Sequence, residues 1–414
     1  MTASLDTPSA VGTARRWWML TLGMFAQAAQ AVFVNGVAFL IPELQENHGL
    51  SLARTGLLVA APTLGVMLTL IAWGALADRY GERRVLAAGM AATAAAGIGA
   101  ALSGSLTATA AFLLLGGMAA ASANAASGRV VVGWFPPERR GLAMGIRQMS
   151  LPLGIACAAL TLPSVAHDHG IGWALALPAI LCATAALACA LWVVDPPRPS
   201  RSAAADLGML ANPYRDSSTL WRIHAVSVLL VVPQYTVWTY ALVWLISERH
   251  WEATAAGLIV TVAQILGAFG RMGVGFWSDV VGSRMRPLRW VAVAGGVSMA
   301  ALAVTDAMDT PVAIVALLAA SVATVAPNGL AFTAVAEIAG PFWGGRALGV
   351  QNTGQFVAAS LVPPVFGALI GIVGFPVTFA IAAGFPAASI PLIPVARSED
   401  RATGIEGDKI ESRS

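Results

Sequence analysis

From Trp17 to Pro394 long apolar runs recur, enough for many spans of about 20 residues each. A helix of that length crosses the hydrocarbon core of a bilayer with its backbone polar groups bonded within the segment. The charged fraction is only 11% against 57% hydrophobic, and mean hydropathy is +0.74. That is too little charge to solvate the surface of a water-soluble domain. We place spans near 17–41, 54–76, 84–103, 107–133, 142–163, 171–194, 223–246, 254–277, 288–305, 311–338, 347–372 and 375–395. The Pro-, Ser- and Arg-rich stretch 195–222 divides them into bundles of six at 17–194 and 223–395, flanked by polar tails at 1–16 and 396–414, the second expected to be disordered. Residues 1–14 lack a basic start followed by a cleavage site, so the first run is expected to be retained as a span.

Arginine sets the orientation. Arg15 and Arg16, Arg79, Arg83 and Arg84, Arg139 and Arg140, Arg198, Arg201, Arg215 and Arg222, then Arg284, Arg286, Arg289 and Arg346 all fall on one side of the predicted spans. The other side carries Arg54 and Arg249. The positive-inside bias therefore places both termini in the cytoplasm of a multi-pass protein of the cytoplasmic (inner) membrane. Trp17, Trp18, Trp134, Trp221, Trp251 and Trp290 sit near span ends, where an amphipathic ring prefers the interface.

A short pattern occurs twice. GALADRYGERR at 74–84 ends the second span, and GFWSDVVGSR at 275–284 ends the eighth. A second pair, AMGIRQ at 143–148 and ALGVQN at 347–352, opens spans five and eleven. Offsets of 201 and 204 residues make the halves parallel copies, related by an axis along the membrane normal. The two charged turns resemble the signature between helices two and three, and eight and nine, of the major facilitator superfamily. Gly74, Asp78, Arg79, Gly81, Arg83 and Arg84 match it; the second copy keeps Gly275, Asp279, Gly282 and Arg284 but has Val280 where a basic residue is common. The resemblance covers about residues 15–395 and implies an all-α fold of twelve transmembrane helices in two pseudo-symmetric six-helix bundles, working by alternating access. It implies a gate of Asp78, Arg79, Arg83, Arg84, Asp279 and Arg284 that holds the outward-facing state. A carboxylate is favourable beside the N-terminus of another helix, and Asp78 can pair with Arg84 or with Arg129 of span four.

Two arginines lie deep in spans. Arg271 is eight residues before Asp279, about 12 Å up the helix, and Arg147 is seven beyond Arg140, about 10 Å in. An arginine at that depth needs a cavity or a partner. The stretch 270–279 resembles the eighth helix of the oxalate/formate and monocarboxylate groups, in which the arginine at this place binds the substrate carboxylate. A guanidinium fork matches two carboxylate oxygens. Two such groups on opposite bundles could hold one anion; equally, Arg271 could brace to Glu337 or a backbone carbonyl, and Arg147 could pack span five. Gln27, Gln30, Gln234, Trp238, Gln351 and Gln355 are candidate cavity residues, with inter-helix hydrogen bonding as the alternative. Asn124 and Asn328, 204 apart, suggest a structural pair. Glu337 is the acid placed inside a late span, as a proton site or an ion-pair partner of Arg346, Arg284 or Arg271.

Other functions find little footing. The chain has no phosphate-binding loop and no nucleophile arrangement, so it is expected to be no enzyme and to use no ATP. Cys157, Cys182 and Cys189 and the histidines show no metal-ligand spacing, so no metal and no cofactor are expected. A net charge of +3 gives nucleic acid no support. The expected function is secondary transport of a small organic anion, a mono- or dicarboxylate, by proton symport or anion exchange, by a monomer in the lipid bilayer. The alternative is efflux of a hydrophobic drug or metabolite.

Overall fold

The computed structural model of the chain describes residues 12–46, 52–215 and 217–395. Most of the tail placed at 1–16, and all of that at 396–414, lies outside the described residues. The first bundle's helices are α1 (Thr13–Gly36), followed by a 3-10 turn and the short α2 (Ile41–Glu46), then α3 (Leu52–Tyr80), α4 (Glu82–Leu102), α5 (Leu106–Trp134), α6 (Arg140–Arg147), α7 (Ser150–His169) and α8 (Ile171–Trp192). After the short α9 (Arg201–Asp206) come α10 (Thr219–Ser247), α11 (Ala253–Val281), α12 (Met285–Ala307), α13 (Val312–Val325) and α14 (Pro327–Ser389).

Among the described residues, ten helical stretches are long and apolar enough to cross a membrane. The last, Val312–Leu392, holds 81 residues. Straight, it would be about 120 Å long, four times the hydrocarbon thickness. Two glycines interrupt it: Gly340 at φ 69° and Gly374 at φ 77° adopt backbone conformations that L side chains resist. They fall between the spans placed at 311–338, 347–372 and 375–395. The stretch therefore holds three spans, and the protein is an all-α integral membrane protein with twelve transmembrane helices.

Two compact units are present, and they do not follow the sequence halves. The first gathers Met1–Pro136, Ile146–Ala211 and Ala336–Thr353. Here α3 packs on α5, α4 on α5 and α8, and α1 on α7 and α8. Small residues allow this. A Cβ at Gly117 would stand 2.0 Å from the Pro62 carbonyl oxygen, and one at Gly65 2.2 Å from that of Leu114, so α3 and α5 touch backbone to backbone. The second unit gathers Pro137–Gly145, Asn212–Val335 and Gly354–Ser414. Its core packs the aromatic rings of Trp244, Phe366, Phe375 and Phe379 among aliphatic side chains. Large apolar side chains such as Leu160 and Ile372, each 79% exposed, face outward from their units, as lipid contact requires.

Candidate functional site

The two motif aspartates make the same arrangement, one in each unit. In the first, the Asp78 carboxylate accepts the backbone N–H of Gly345 at 2.7 Å and of Arg346 at 3.0 Å. In the second, Asp279 accepts those of Gly141 at 2.8 Å and Leu142 at 2.9 Å. Gly141 and Leu142 open α6, so the carboxylate meets unsatisfied N–H groups at a helix start. Each aspartate thus caps a segment from the opposite half of the sequence. Glycine makes the approach possible. A Cβ on Gly345 would lie 2.2 Å from the Gly74 carbonyl oxygen, and one on Gly141 2.2 Å from that of Gly275. The duplicated Gly74 and Gly275 therefore carry a steric role that the duplication alone did not reveal.

Arginine completes both caps. Arg284 Nη1 donates to Asp279 at 2.6 Å and Nη2 to the Pro137 carbonyl at 2.5 Å. Arg129 forms a buried ion pair with Asp78, and its Nη2 donates to the Pro341 carbonyl at 2.8 Å. Of the two partners considered for Asp78 the structure selects Arg129; Arg84 is exposed. Arg79 lies over the Tyr80 ring at 5.2 Å. Arg83 turns to α8, donating through its side chain to the Ala190 carbonyl and through its backbone N–H to Asp195.

Sequence reasoning missed Glu82. Fully buried at the start of α4, it pairs with Arg129 at 3.1 Å and with Arg198. An acid in the first turn of a helix is favourable there, and Glu82 sits inside the motif between Gly81 and Arg83, so the signal was available. Arg198, read from sequence only as an orientation signal, also reaches the carbonyls of Ala77 and Asp78 at 3.4 Å.

Arg147 is 1% exposed, in the first unit. Its Nε and Nη2 donate to the Ser127 hydroxyl at 3.0 and 2.9 Å, Nη2 to the Asn124 carbonyl at 3.3 Å, and Nη1 to Gln148 Oε1 at 3.0 Å. Gln27 joins the cluster, donating to Asn124 Oδ1 at 3.2 Å while accepting from Ser127 at 3.0 Å. Gln30 is buried with no hydrogen-bond partner on its Oε1. In the second unit, Asn328 bonds Gln234 Oε1 at 2.9 Å, and Gln355 Nε2 donates to Asn328 Oδ1 at 3.1 Å and to Ser227 Oγ at 2.5 Å. The Asn124–Gln27 and Asn328–Gln234 pairs are repeats of one another, tying α5 to α1 and the start of α14 to α10. For Gln27, Gln234 and Gln355 the structure therefore shows inter-helix bonding.

Arg271 is also buried in the second unit, under the Trp238 ring at 5.6 Å, with Nε donating to the Val325 carbonyl at 3.4 Å. The Tyr235 ring lies beside Trp238, tilted, with centroids 5.3 Å apart. One of the braces considered, a backbone carbonyl, is present. A guanidinium beside an aromatic face is chemically suited to a carboxylate. Gln351 is buried and Glu337 half-buried, both in the segment grouped with the first unit. Glu337 lies in α14, and a second acid, Asp306, lies in the last turn of another late helix. Helix α12 runs to Ala307 and so includes Asp306, which is buried and bound to Trp244 Nε1 at 2.9 Å and Arg249 at 2.8 Å. The apolar run alone had placed that span's end at 305, two residues short of the helix end.

Comparison with known proteins agrees with this architecture. The uncharacterized MFS-type transporter Rv2994 of Mycobacterium tuberculosis is 49% identical over 388 residues, covering 94% of this chain and 86% of that protein. The probable sulfoacetate transporter SauU of Cupriavidus necator is 26% identical over 355 residues, 80% of this chain and 81% of that one. The crystal structure of the human organic anion transporter MFSD10 superposes with a TM-score of 0.74 at 18% identity, covering 92% of this chain and 100% of that one. The profile described as Major Facilitator Superfamily matches residues 23–363. Twelve spans, a duplicated aspartate cap and these matches agree: the chain belongs to the major facilitator superfamily of secondary transporters.

Proposed function

We propose that the protein moves a small organic anion, a mono- or dicarboxylate, across the cytoplasmic membrane by alternating access. The observation that carries the reading is a pair of buried guanidiniums, Arg271 beside the Trp238 ring with a bond to the Val325 carbonyl, and Arg147 bonded to Ser127 and Gln148. Burying a cation is costly, and a compact anion offsets that cost better than a neutral solute does. The 270–279 resemblance to oxalate/formate and monocarboxylate transporters supports the same reading. So does the 26% identical relative, whose named substrate is itself a carboxylate. In the second unit, Arg271 is a proposed anion-contacting residue with Trp238 beside it; in the first, Arg147 is another, with Gln30 and Gln351 as further proposed contacts. Gln27, Gln234 and Gln355 order the helices of their own units. Asp78 and Asp279, with Arg129 and Arg284, are the proposed gate. Their caps on 345–346 and 141–142 belong to one end of the cycle and release at the other. Glu337 is the proposed proton-coupling acid, and the arginine-rich face is cytoplasmic.

The test is a thermal-shift panel on the purified protein: formate, lactate, oxalate and succinate against their neutral amides. One or more carboxylates should raise the melting temperature of wild type and leave Arg271→Ala unmoved, because a ligand stabilises only the state that binds it. Equal shifts from acids and amides would contradict an anion site.

A further inference from the structure

We infer that Ser127 is a positioning residue for Arg147 and sets the protein's affinity for anions. The inference rests on the anion reading above. The guanidinium edge formed by Nε and Nη2 is the fork that grips two oxygens in parallel. Here that edge converges on one atom, the Ser127 hydroxyl oxygen, at 3.0 and 2.9 Å. A hydroxyl has two lone pairs and one proton, so it accepts both N–H groups and still donates. The proton has two acceptors in reach, Gln27 Oε1 at 3.0 Å on α1 and the Ala123 carbonyl at 2.5 Å on α5 itself. Ser127 therefore fixes the plane of the guanidinium and ties it to two helices of the first unit. Ser127 is 1% exposed and Arg147 likewise, so water is in no position to replace the hydroxyl.

The internal duplication supplies an independent argument. Asn124 and its repeat Asn328 are both asparagine, and both bond a glutamine. Where the first copy has Arg147 the second has Gln351, and where the first has Ser127 the second has Ala331. The structural pair is kept in both copies, whereas hydroxyl and guanidinium occur together in one. A hydroxyl needed only for packing α5 on α1 would have no reason to follow the arginine.

The experiment is saturable uptake in proteoliposomes, using whichever of radiolabelled formate, lactate, oxalate and succinate wild type transports best. Ser127→Ala is expected to raise KM about tenfold, the effect of losing a hydrogen bond to a charged group, with kcat within about twofold. Ser127→Thr, which restores the hydroxyl, should return KM toward wild type. Gln27→Ala, which removes one anchor of that hydroxyl, should give a smaller rise. An unchanged KM in Ser127→Ala overturns the inference and leaves the anion reading standing. So does a fall in kcat and melting temperature at constant KM, the mark of a packing role. Wild type that saturates with none of the four acids overturns the anion reading, and this inference with it.

Discussion

Asp78→Asn isolates the charge of the aspartate cap with little change in shape. In the native protein the carboxylate accepts two backbone N–H groups, at 2.7 and 3.0 Å, and pairs with Arg129. Hydrogen bonds to an ionised acceptor contribute about 1.5–3 kcal/mol each. The asparagine oxygen keeps one of the two at neutral strength, about 1 kcal/mol, while its NH2 group turns a donor toward the other N–H. Arg129 keeps Glu82 at 3.1 Å, so the full cost of a broken buried pair does not apply. The net loss is about 2–5 kcal/mol, or roughly 30- to 4,000-fold in the equilibrium that docks residues 345–346 on Asp78. A cysteine at position 344 reports it. Gly344 is buried, and a Cβ there meets nothing closer than 3.9 Å. With Cys157, Cys182 and Cys189 replaced by alanine, the maleimide labelling rate of Gly344→Cys should rise at least about tenfold when Asp78→Asn is added, since labelling follows the undocked population. An unchanged rate would refute the idea that the carboxylate holds this segment down.

Further outcomes follow from the same geometry. Gly141→Ala places a Cβ 2.2 Å from the Gly275 carbonyl oxygen, backbone that has nowhere to yield, so transport should fall below about a tenth of wild type with insertion into the membrane intact. Glu82→Gln leaves Arg198 and one side of Arg129 without a carboxylate and should cost about 3–5 kcal/mol, read as a lower melting temperature in detergent. Trp244→Phe strips the indole N–H from buried Asp306, an expected loss of about 1–3 kcal/mol by the same assay. Arg271→Lys keeps the cation but not the fork, so KM for a carboxylate should rise while the stability of the unliganded protein holds.

Much of the fold was legible because hydropathy in a membrane protein is a one-dimensional signal. Gly340 and Gly374 fall in the gaps that the apolar pattern left between the last three spans. The Arg129–Asp78 partnership was legible too, because an arginine and an aspartate near one end of two spans have few other partners. What the sequence withheld was three-dimensional. Nothing along the chain said that Asp78 and Asp279 would each cap a segment of the other half, since that depends on which helices cross. Glu82 was passed over because a charged residue in a turn reads as solvated; only the convergence of Arg129 and Arg198 shows it buried. Gln27 and Gln234 looked like cavity residues because polarity in a span signals a ligand or a neighbouring helix equally well. Their bonds to Asn124 and Asn328 exist only once the helices are side by side.

The most direct measurement is flux. Protein reconstituted in liposomes would be tested for uptake of labelled formate, lactate, oxalate and succinate with and without an imposed pH gradient, for wild type, Arg271→Ala and Arg147→Ala. Saturable carboxylate uptake by wild type, abolished by Arg271→Ala and weakened by Arg147→Ala in folded protein, is the expected result. Carboxylate flux indifferent to both substitutions, or no carboxylate flux beside clear movement of a hydrophobic dye, would contradict the arginine site and make efflux of apolar compounds the better description.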